Sequence, residues 1–228
     1  MKTVLVVAAH PDDEVLGCGG AIARHVSLGD HVYVRIVAEG ITSRAQEGAA
    51  LSLELGQLQD AARRAHQILG TKSIDFFSYP DNKLDSINLL DIVQRLEKEI
   101  EEISPQIIYT HHHGDLNIDH SIVYRAVVTA CRPFPDSLIE KIFCFEVSSS
   151  TDWGMLGPTS MFVPNVFLNL LPYLPKKLEA LGEYSTEMRD WPHSRSIRGV
   201  ESLAQSRGAM CGLEAAEAFT LIRSIVRK

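Results

Sequence analysis

Short apolar runs recur along the first half of this chain, and each predicts a β-strand. The run at 3–8 is β-branched and apolar without alternation, which is typical of a strand buried on both faces of a parallel sheet. Similar runs at 31–37, 74–79 and 106–110 predict three further strands. Polar or turn-forming residues follow each run, so every strand has a defined end.

Between these strands, apolar residues recur at every third or fourth position, which predicts amphipathic helices. Such stripes cover 51–69, 89–103 and 122–130. A shorter helical pattern at 21–26 follows a glycine-rich segment at 17–20, which we expect to form a turn that opens the helix. Strands and helices therefore alternate, as they do in right-handed βαβ units.

The second half of the chain is less regular. It contains two predicted strands, at 141–147 and 165–170, and two predicted helices, at 178–184 and 197–210. The segment 148–164 is rich in Ser, Thr, Gly and Pro and is expected to form a lid or rim over the strand ends. The whole pattern predicts an α/β fold with a mostly parallel sheet and helices on both faces.

The composition and net charge of the chain limit the classes of protein to which it can belong. The chain has 228 residues, which we interpret as one domain over 1–228, and 45% of them are hydrophobic. Its net charge of −7 and the lack of a basic block argue against nucleic-acid binding. No apolar stretch has membrane-spanning length, and the run at 4–9 is too short for a signal peptide. With four widely spaced cysteines expected to be free thiols, we predict a cytoplasmic protein.

Two groups of reactive side chains follow predicted strands. His10, Asp12 and Asp13 come directly after the first strand, and His120 lies in the segment after the fourth. Carboxyl ends of parallel strands meet at one edge of a sheet, where ligands bind. Two histidines and one carboxylate are typical ligands of a catalytic zinc ion with an open position for water. Glu14 is equally explained as an acidic residue at a helix N-terminus.

These residues also carry a family resemblance. Ala-His-Pro-Asp-Asp-Glu at 9–14, Asp-x-Asn-x-Asp-His at 115–120 and Ala-Glu-Ala-Phe at 216–219 resemble motifs of the PIG-L/LmbE-like N-acetylglucosaminyl de-N-acetylases. The resemblance covers essentially the whole chain. It implies a Rossmann-like fold and a zinc-type hydrolase that removes N-acetyl groups from amino sugars or their conjugates.

The resemblance also implies roles for individual residues. His10, Asp13 and His120 correspond to the metal ligands, and Asp12 to the general base. The expected cofactor is Zn²⁺, although the ligand set suits other divalent ions too. Asn117 stands where many members have a histidine, and an amide can donate to an oxyanion but cannot shuttle a proton.

Other residues are expected around this centre. His113 or His193 is a candidate for the missing imidazole, and His113 is also a candidate substrate contact. Arg44 and Asp81 resemble substrate-binding residues of the family, although a surface turn explains Asp81 equally well. Asp119 is a candidate N-cap of the helix at 122–130, and we also expect it to orient His120 or the neighbouring loop. The remaining candidates are His193 and Arg195 in a late loop motif, and Trp153 and Trp191 as platforms for a sugar ring.

The leading hypothesis is a metal-dependent deacetylase in which a divalent ion activates a water and Asp12 accepts its proton. An amidase acting on a bulkier amide or thiol conjugate is the main alternative. Whether the site accepts a bulkier group depends on the rim at 148–164. A non-catalytic metal-binding protein or a nucleotide-binding module is a further alternative, but carboxylates occupy the place where a nucleotide phosphate would bind. The partner is a small molecule, and the sequence leaves the exact substrate, the metal and homo-oligomer formation open.

Overall fold

Strands and helices alternate through the protein in a computed structural model that describes residues 1–41, 49–154, 157 and 160–226. In chain order, the elements within these ranges are β1 (Thr3–Ala8), α1 (Asp13–Ser27), β2 (His31–Ala38), α2 (Ala49–Leu69), β3 (Ser73–Tyr79), a 3₁₀ turn (Leu84–Ser86), α3 (Leu89–Ile103), β4 (Ile107–His111), α4 (Ile118–Ala130), β5 (Lys141–Phe145), β6 (Val166–Asn169), α5 (Leu174–Glu183), α6 (Ile197–Ala209) and β7 (Ala216–Ser224).

In the described part of the chain, the strands form one sheet in the order β3-β2-β1-β4-β5-β7-β6. The first five strands are parallel, whereas β7 runs antiparallel to both β5 and β6. The chain builds outward from β1 through β2 to β3 and then returns to place β4 on the other side of β1. The carboxyl ends of β1 and β4 therefore flank the switch point of the sheet, where open α/β folds bind ligands.

Helices cover both faces of the sheet. Val4 and Val6 of β1 belong to an apolar core that also contains residues of α1 and α2, while Leu5 and Val7 face a second core formed with α3 and α4. All four of these side chains are buried, as expected for a central parallel strand without alternation. The predicted α/β fold with a mostly parallel sheet is confirmed. No helix among the described residues is both long and apolar enough to cross a membrane.

The glycine-rich segment at 17–20 differs from the prediction because it lies inside α1 and does not precede it. A Cβ atom at Gly17 would lie 2.2 Å from the Phe145 ring, and one at Gly20 would lie 2.1 Å from the end of the Leu170 side chain, so a larger residue at either position would displace its neighbour. The helix is also kinked at Cys18, whose φ of −146° and ψ of 24° are not helical. Glycines here allow a bent helix to pack closely on the sheet.

Glu217 and Lys177 hold this kink. The Glu217 carboxylate accepts the backbone N–H groups of Gly20 and Ala21, both at 2.7 Å, which caps the helical segment after the kink. Lys177 Nζ donates to the Leu16 carbonyl at 2.8 Å, before the kink, and to Glu217 at 2.7 Å. The two buried side chains thus satisfy backbone groups that a continuous helix would pair internally.

Three further features differ from the expected elements. No strand was expected at the position of β7, although this strand joins β5 to the edge strand β6. The helix predicted at 178–184 begins earlier, as α5. The N-cap of α4 is Asn117 and not Asp119, because Asn117 Oδ1 accepts the Asp119 N–H at 2.9 Å. Asp119 is therefore available for another contact.

Candidate metal and active site

Asp13 lies at the centre of a buried group of imidazoles and carboxylates at the switch point. Its Oδ2 atom lies 3.2 Å from Nδ1 of His10 and 3.1 Å from Nε2 of His120. Oδ2 also accepts the His10 backbone N–H at 2.9 Å, which fixes the carboxylate in the turn between β1 and α1. The parallel pairing of β1 with β4 therefore brings together residues more than a hundred positions apart.

A second carboxylate contacts each imidazole on the side away from Asp13, where it would hold the proton if a metal ion bound the other nitrogen. Asp115 Oδ2 lies 2.8 Å from Nδ1 of His120, and Asp119 Oδ2 lies 3.0 Å from Nε2 of His10. Protons on these two nitrogens leave the lone pairs of His120 Nε2 and His10 Nδ1 facing Asp13. Metal-binding histidines are oriented in this way by carboxylates. Asp119 therefore contacts His10 and not His120, which corrects one expected contact.

Asp119 does hold a neighbouring loop, as the alternative expectation stated. Its two oxygens accept the backbone N–H groups of Asn82 at 2.7 Å and Leu84 at 3.0 Å. Asp81, in the same loop, is buried, and its Oδ1 atom lies 3.1 Å from Nε2 of His10. The loop after β3 thus contributes to the site instead of forming a solvent-exposed turn.

Two polar atoms of the His10, Asp13 and His120 set have no hydrogen-bond partner among the described residues. They are Oδ1 of Asp13 and Nε2 of His120, and both are buried. A buried polar atom without a partner is costly. A cation bound by His10, Asp13 and His120 removes both penalties, and these residues offer ligand atoms close enough to share one ion. The residues present therefore fit a divalent metal.

The electrostatics of the pocket also favour positive charge. Burial alone would lower the pKa of His10 and of His120, but the surrounding carboxylates outweigh burial and raise both pKa values. Burial would raise the pKa of Asp115, yet the neighbouring His111 and His120 imidazoles lower it to about 2. The pocket thus stabilises positive charge, either protons or a metal ion, at the imidazoles of His10 and His120.

His111 supports the cluster from behind. Its ring stacks on that of His120 with a centroid distance of 3.9 Å, and its Nε2 atom accepts the Ala9 backbone N–H at 2.8 Å. Burial and the charge on His120 lower the pKa of His111 to about 4, so its imidazole is neutral. Although His111, Asp115 and His120 also lie within ligand distance of one another, the Asp115 oxygens already accept hydrogen bonds from His120 and Thr151.

Asp12 lies beside Asp13 in an unusual backbone conformation. Its φ of 112° is one that non-glycine residues rarely adopt. Nη1 of Arg195 donates to Asp12 Oδ2 at 2.8 Å, and Nη2 lies 3.7 Å from Asp13 Oδ1, so one guanidinium spans both carboxylates. Burial raises the pKa of Asp12, and the charge on Arg195 opposes this shift.

Glu14 is neither a simple cap nor exposed. Its fully buried carboxylate accepts three hydrogen bonds: from the Asp12 backbone N–H at 3.0 Å, from the Tyr184 hydroxyl at 2.6 Å and from Nε2 of His66 at 3.1 Å. The first of these bonds holds the Asp12 backbone. The other two connect the Glu14 carboxylate to α2 and to the end of α5. Glu14 therefore supports the turn that carries Asp12 and Asp13.

The structure places the other candidate residues at different distances from this centre. Asn117 caps α4, and its Nδ2 atom donates to Asn82 Oδ1 at 3.0 Å. His193 lies on the loop of Arg195, and its Nδ1 atom accepts the Arg195 N–H at 3.0 Å. His113 is exposed, with ring contacts to His112 and Tyr124. Arg44 lies outside the described residues.

The sequence analysis assigned no role to Asp115, Tyr184 or Glu217. Asp115 and Glu217 lie within the quoted motifs at 115–120 and 216–219, so their position in a motif was a usable signal. Tyr184 is the last residue of the helix predicted at 178–184 and carries no such signal. Its contact with Glu14 spans 170 positions and depends on how α5 packs against the sheet.

Comparisons with known proteins show the family of this chain. The profile of one family, described as "PIG-L: GlcNAc-PI de-N-acetylase", matches residues 5–131. This range contains His10, Asp12, Asp13 and His120. Among curated proteins, the "Uncharacterized deacetylase YaiS" of Escherichia coli (strain K12) is 29% identical over 191 residues, which cover 81% of this chain and 91% of that protein.

Solved structures share the fold. N,N'-diacetylchitobiose deacetylase from Pyrococcus horikoshii superposes with a TM-score of 0.80 at 17% identity, over 97% of this chain and 84% of the other. GalB, the 4-carboxy-2-hydroxymuconate hydratase of Pseudomonas putida KT2440, gives 0.79 at 20% identity, over 100% of this chain and 99% of the other. At such identities the likeness shows the fold alone, and this fold supports more than one reaction.

Proposed function

This chain belongs to the PIG-L family of deacetylases, and from this premise we propose that it removes the acetyl group from an N-acetylated amino sugar or amino-sugar conjugate in a metal-dependent reaction. The observation that carries the proposal is that His10, Asp13 and His120 are buried at the switch point with ligand atoms close enough to one another to share one cation. The name of the matching family and that of the chitobiose deacetylase support the substrate class.

His10, Asp13 and His120 would hold the metal ion. Two imidazoles and one carboxylate form the ligand set of many catalytic zinc sites, which supports Zn²⁺, although the set also suits other divalent ions. When bound, such an ion polarises the acetamide carbonyl and lowers the pKa of water. Asp115 and Asp119 keep the two imidazoles in the tautomers that expose their lone pairs to the ion.

Asp12 is the proposed general base. It accepts a proton from the attacking water and then returns a proton to the nitrogen of the leaving amine. Burial raises the pKa of its carboxyl, which brings it closer to the range in which a base works best at neutral pH. Arg195 and the Glu14 hydrogen bond to the Asp12 backbone hold this carboxylate beside Asp13.

We assign roles to five further residues. The amide of Asn117, next to the Asp119 and Asn82 contacts, is the proposed donor to the oxyanion. His193, on the loop that carries Arg195, is the alternative to Asp12 as the source of a proton for the amine. Arg44, Asp81 and His113 are the proposed substrate contacts, and Asp81 also helps to hold His10.

We also propose a cellular location and a class of partner for this enzyme. All four cysteines are free thiols, which supports a cytoplasmic location. The partner is a small sugar or sugar conjugate, and no nucleic-acid partner is proposed because the chain is acidic.

Acetate release by metal-stripped and zinc-reloaded protein tests the proposed reaction. The panel contains N-acetylglucosamine, N,N'-diacetylchitobiose and an alkyl N-acetylglucosaminide, together with a bulkier N-acyl analogue of each. Zinc-dependent release of acetate supports the deacetylase, and it separates this enzyme from a hydratase, which adds water to a double bond and releases no acetate. Release from only the bulkier acyl groups would favour the amidase alternative, and failure to bind zinc would overturn the metal site.

A further inference from the structure

A cavity separate from the proposed metal site lies over the sheet, between the last turn of α1 and the edge strand β6. Its volume is about 520 Å³, which is within the range of small-molecule sites. Arg24 and His25 line it from the end of α1, and Lys141 lines it as the first residue of β5. None of its described lining residues belongs to the proposed metal or active site.

The two cations of this cavity lie far from the proposed metal ligands. Lys141 pairs with Ile107, four positions before His111 along β4, which corresponds to about 13 Å of strand. Arg24 follows Asp13 by eleven positions in α1, which corresponds to about 16 Å of helix. A group bound by Arg24 and Lys141 therefore does not occupy the place of the reacting acetamide.

Three aromatic rings line the cavity from the sheet. Tyr109 stacks on Phe143 with a centroid distance of 5.1 Å and an interplanar angle of 18°, and Phe219 meets Tyr109 edge to face at 5.2 Å. Such rings favour a flat aromatic ligand, because ring contacts stabilise beyond the area that they bury.

The polar atom of Tyr109 is satisfied inside the protein. Burial lowers the pKa of His25, so its imidazole is neutral, and its Nδ1–H donates to Asp30 at 2.8 Å. Nε2 of His25 then accepts the Tyr109 hydroxyl at 3.1 Å. These side chains therefore need no polar ligand group, and the two cations decide which charge the cavity accepts.

The lining of the cavity is positive, although the chain carries a net charge of −7. Arg24 and Lys141 contribute to it, and no aspartate or glutamate occurs among its described lining residues. A cavity of about 550 Å³ between α3 and the segment after α4 differs in this respect, because Glu97, Glu101 and Asp136 line it. Positive lining is thus specific to the cavity beside α1 and does not follow from the composition of the chain.

Carboxylates close to the cavity are paired with other groups. Asp30 accepts the Lys2 backbone N–H at 2.6 Å, and Glu140, which precedes Lys141, accepts Lys2 Nζ at 2.7 Å. Glu217 forms its ion pair with Lys177 at 2.7 Å. Within the described ranges, Arg24 and Lys141 therefore keep their charges without an ion-pair partner.

We propose that this cavity binds an aromatic anion, a flat ring system that carries a negatively charged group. Tyr109, Phe143 and Phe219 contact the ring system, and Arg24 and Lys141 bind the charged group. An uncharged aromatic molecule lacks the ion pairs, and a cationic one is repelled. The site is distinct from that of the proposed reaction, so its test does not depend on deacetylase activity.

Calorimetric titration of the zinc-loaded protein tests the site with 2-naphthalenesulfonate. A sulfonate is a weak ligand of zinc, so this probe does not report on the metal site. The matched probes are uncharged 2-naphthalenemethanol and cationic 2-naphthylmethylammonium. We expect saturable binding of one sulfonate per chain, weaker binding of the alcohol and little binding of the ammonium compound.

Variants locate the bound probe. Arg24→Gln and Lys141→Gln are each expected to weaken sulfonate binding roughly two- to fivefold, the usual range for one partly exposed ion pair. Lys141→Glu should abolish the preference for the sulfonate over the alcohol. The matched control is Lys98→Gln, at an exposed position of α3, which should leave binding unchanged.

Three results would overturn the proposal. They are the absence of saturable sulfonate binding, equal affinity for the sulfonate and the alcohol, and unchanged sulfonate binding in both Arg24→Gln and Lys141→Gln. Sedimentation at the same protein concentrations provides a further test. An oligomer that Lys141→Glu dissociates would show that a second copy of the chain covers this surface, which would also overturn the small-molecule site.

Discussion

The Tyr184 hydroxyl donates a 2.6 Å hydrogen bond to Oε1 of Glu14, 170 positions earlier in the chain. The other oxygen of Glu14 accepts the Asp12 backbone N–H at 3.0 Å. Asp12 has a φ of 112°, a conformation that surrounding contacts must hold in place. Tyr184 is therefore one support of the turn that presents the proposed base, although it lies behind that turn and not in the substrate pocket.

Tyr184→Phe removes this hydrogen bond and keeps the ring. Because the bond is buried and reaches a carboxylate, we expect the free energy of unfolding to fall by about 1.5–3 kcal/mol. We also expect kcat to fall while zinc affinity stays unchanged, since Asp12 is held less firmly and the metal ligands are untouched. Urea unfolding, steady-state kinetics and a zinc titration measure the three quantities.

The matched control is Tyr173→Phe, whose hydroxyl lies 3.3 Å from the exposed Ser27 side chain at the other end of α1. This variant should retain both stability and kcat. A Tyr184→Phe enzyme with unchanged kcat would show that the bond contributes to stability without positioning Asp12.

Asp12→Asn tests the proposed base. An amide cannot accept the proton of the attacking water, so we expect kcat to fall by about 10²- to 10⁴-fold. Zinc binding should persist, because His10, Asp13 and His120 are unchanged. Asp85→Asn, at an exposed position in the 3₁₀ turn, provides the control. A variant that binds zinc and retains most of its turnover would exclude Asp12 as the base.

Asp115→Asn tests how His120 is oriented. The substitution weakens the contact that holds the proton on His120 Nδ1, and changes of this kind typically lower metal affinity by about 10- to 100-fold. Competition with a chelator of known zinc affinity measures the effect. The exposed Asp136→Asn is the control. Equal zinc affinity in both variants would mean that Asp115 does not orient a metal ligand.

Glu217→Gln tests the clamp on the kink of α1. It leaves the buried Lys177 without its charge partner, and breaking a buried ion pair in this way costs about 3–5 kcal/mol of unfolding free energy. Adding Lys177→Met should recover part of the loss, because no buried charge then remains. Asp60→Asn, which breaks an exposed ion pair with Arg63, should have little effect in the same urea experiment.

The fold class could be predicted from the sequence because it depends on the local pattern of apolar and polar residues. The unalternating run of β1 predicts a strand buried on both faces, and alternation of strands with helices predicts a parallel sheet. The carboxyl ends of parallel strands meet at one edge of the sheet, and this rule alone predicts that His10, Asp12, Asp13 and His120 lie together there. The structure brings these four residues together as that rule implies.

The sequence by itself thus determined the alternation of strands and helices over residues 3–130 and the edge of the sheet that carries the reactive residues. Tertiary structure alone decided which carboxylate holds which imidazole, with Asp119 on His10 and Asp115 on His120. It also decided the kink of α1, where Glu217 caps Gly20 from 197 positions away. Local patterns reflect the spacing of neighbouring residues, whereas these contacts depend on side-chain directions and on the packing of elements that are distant in sequence.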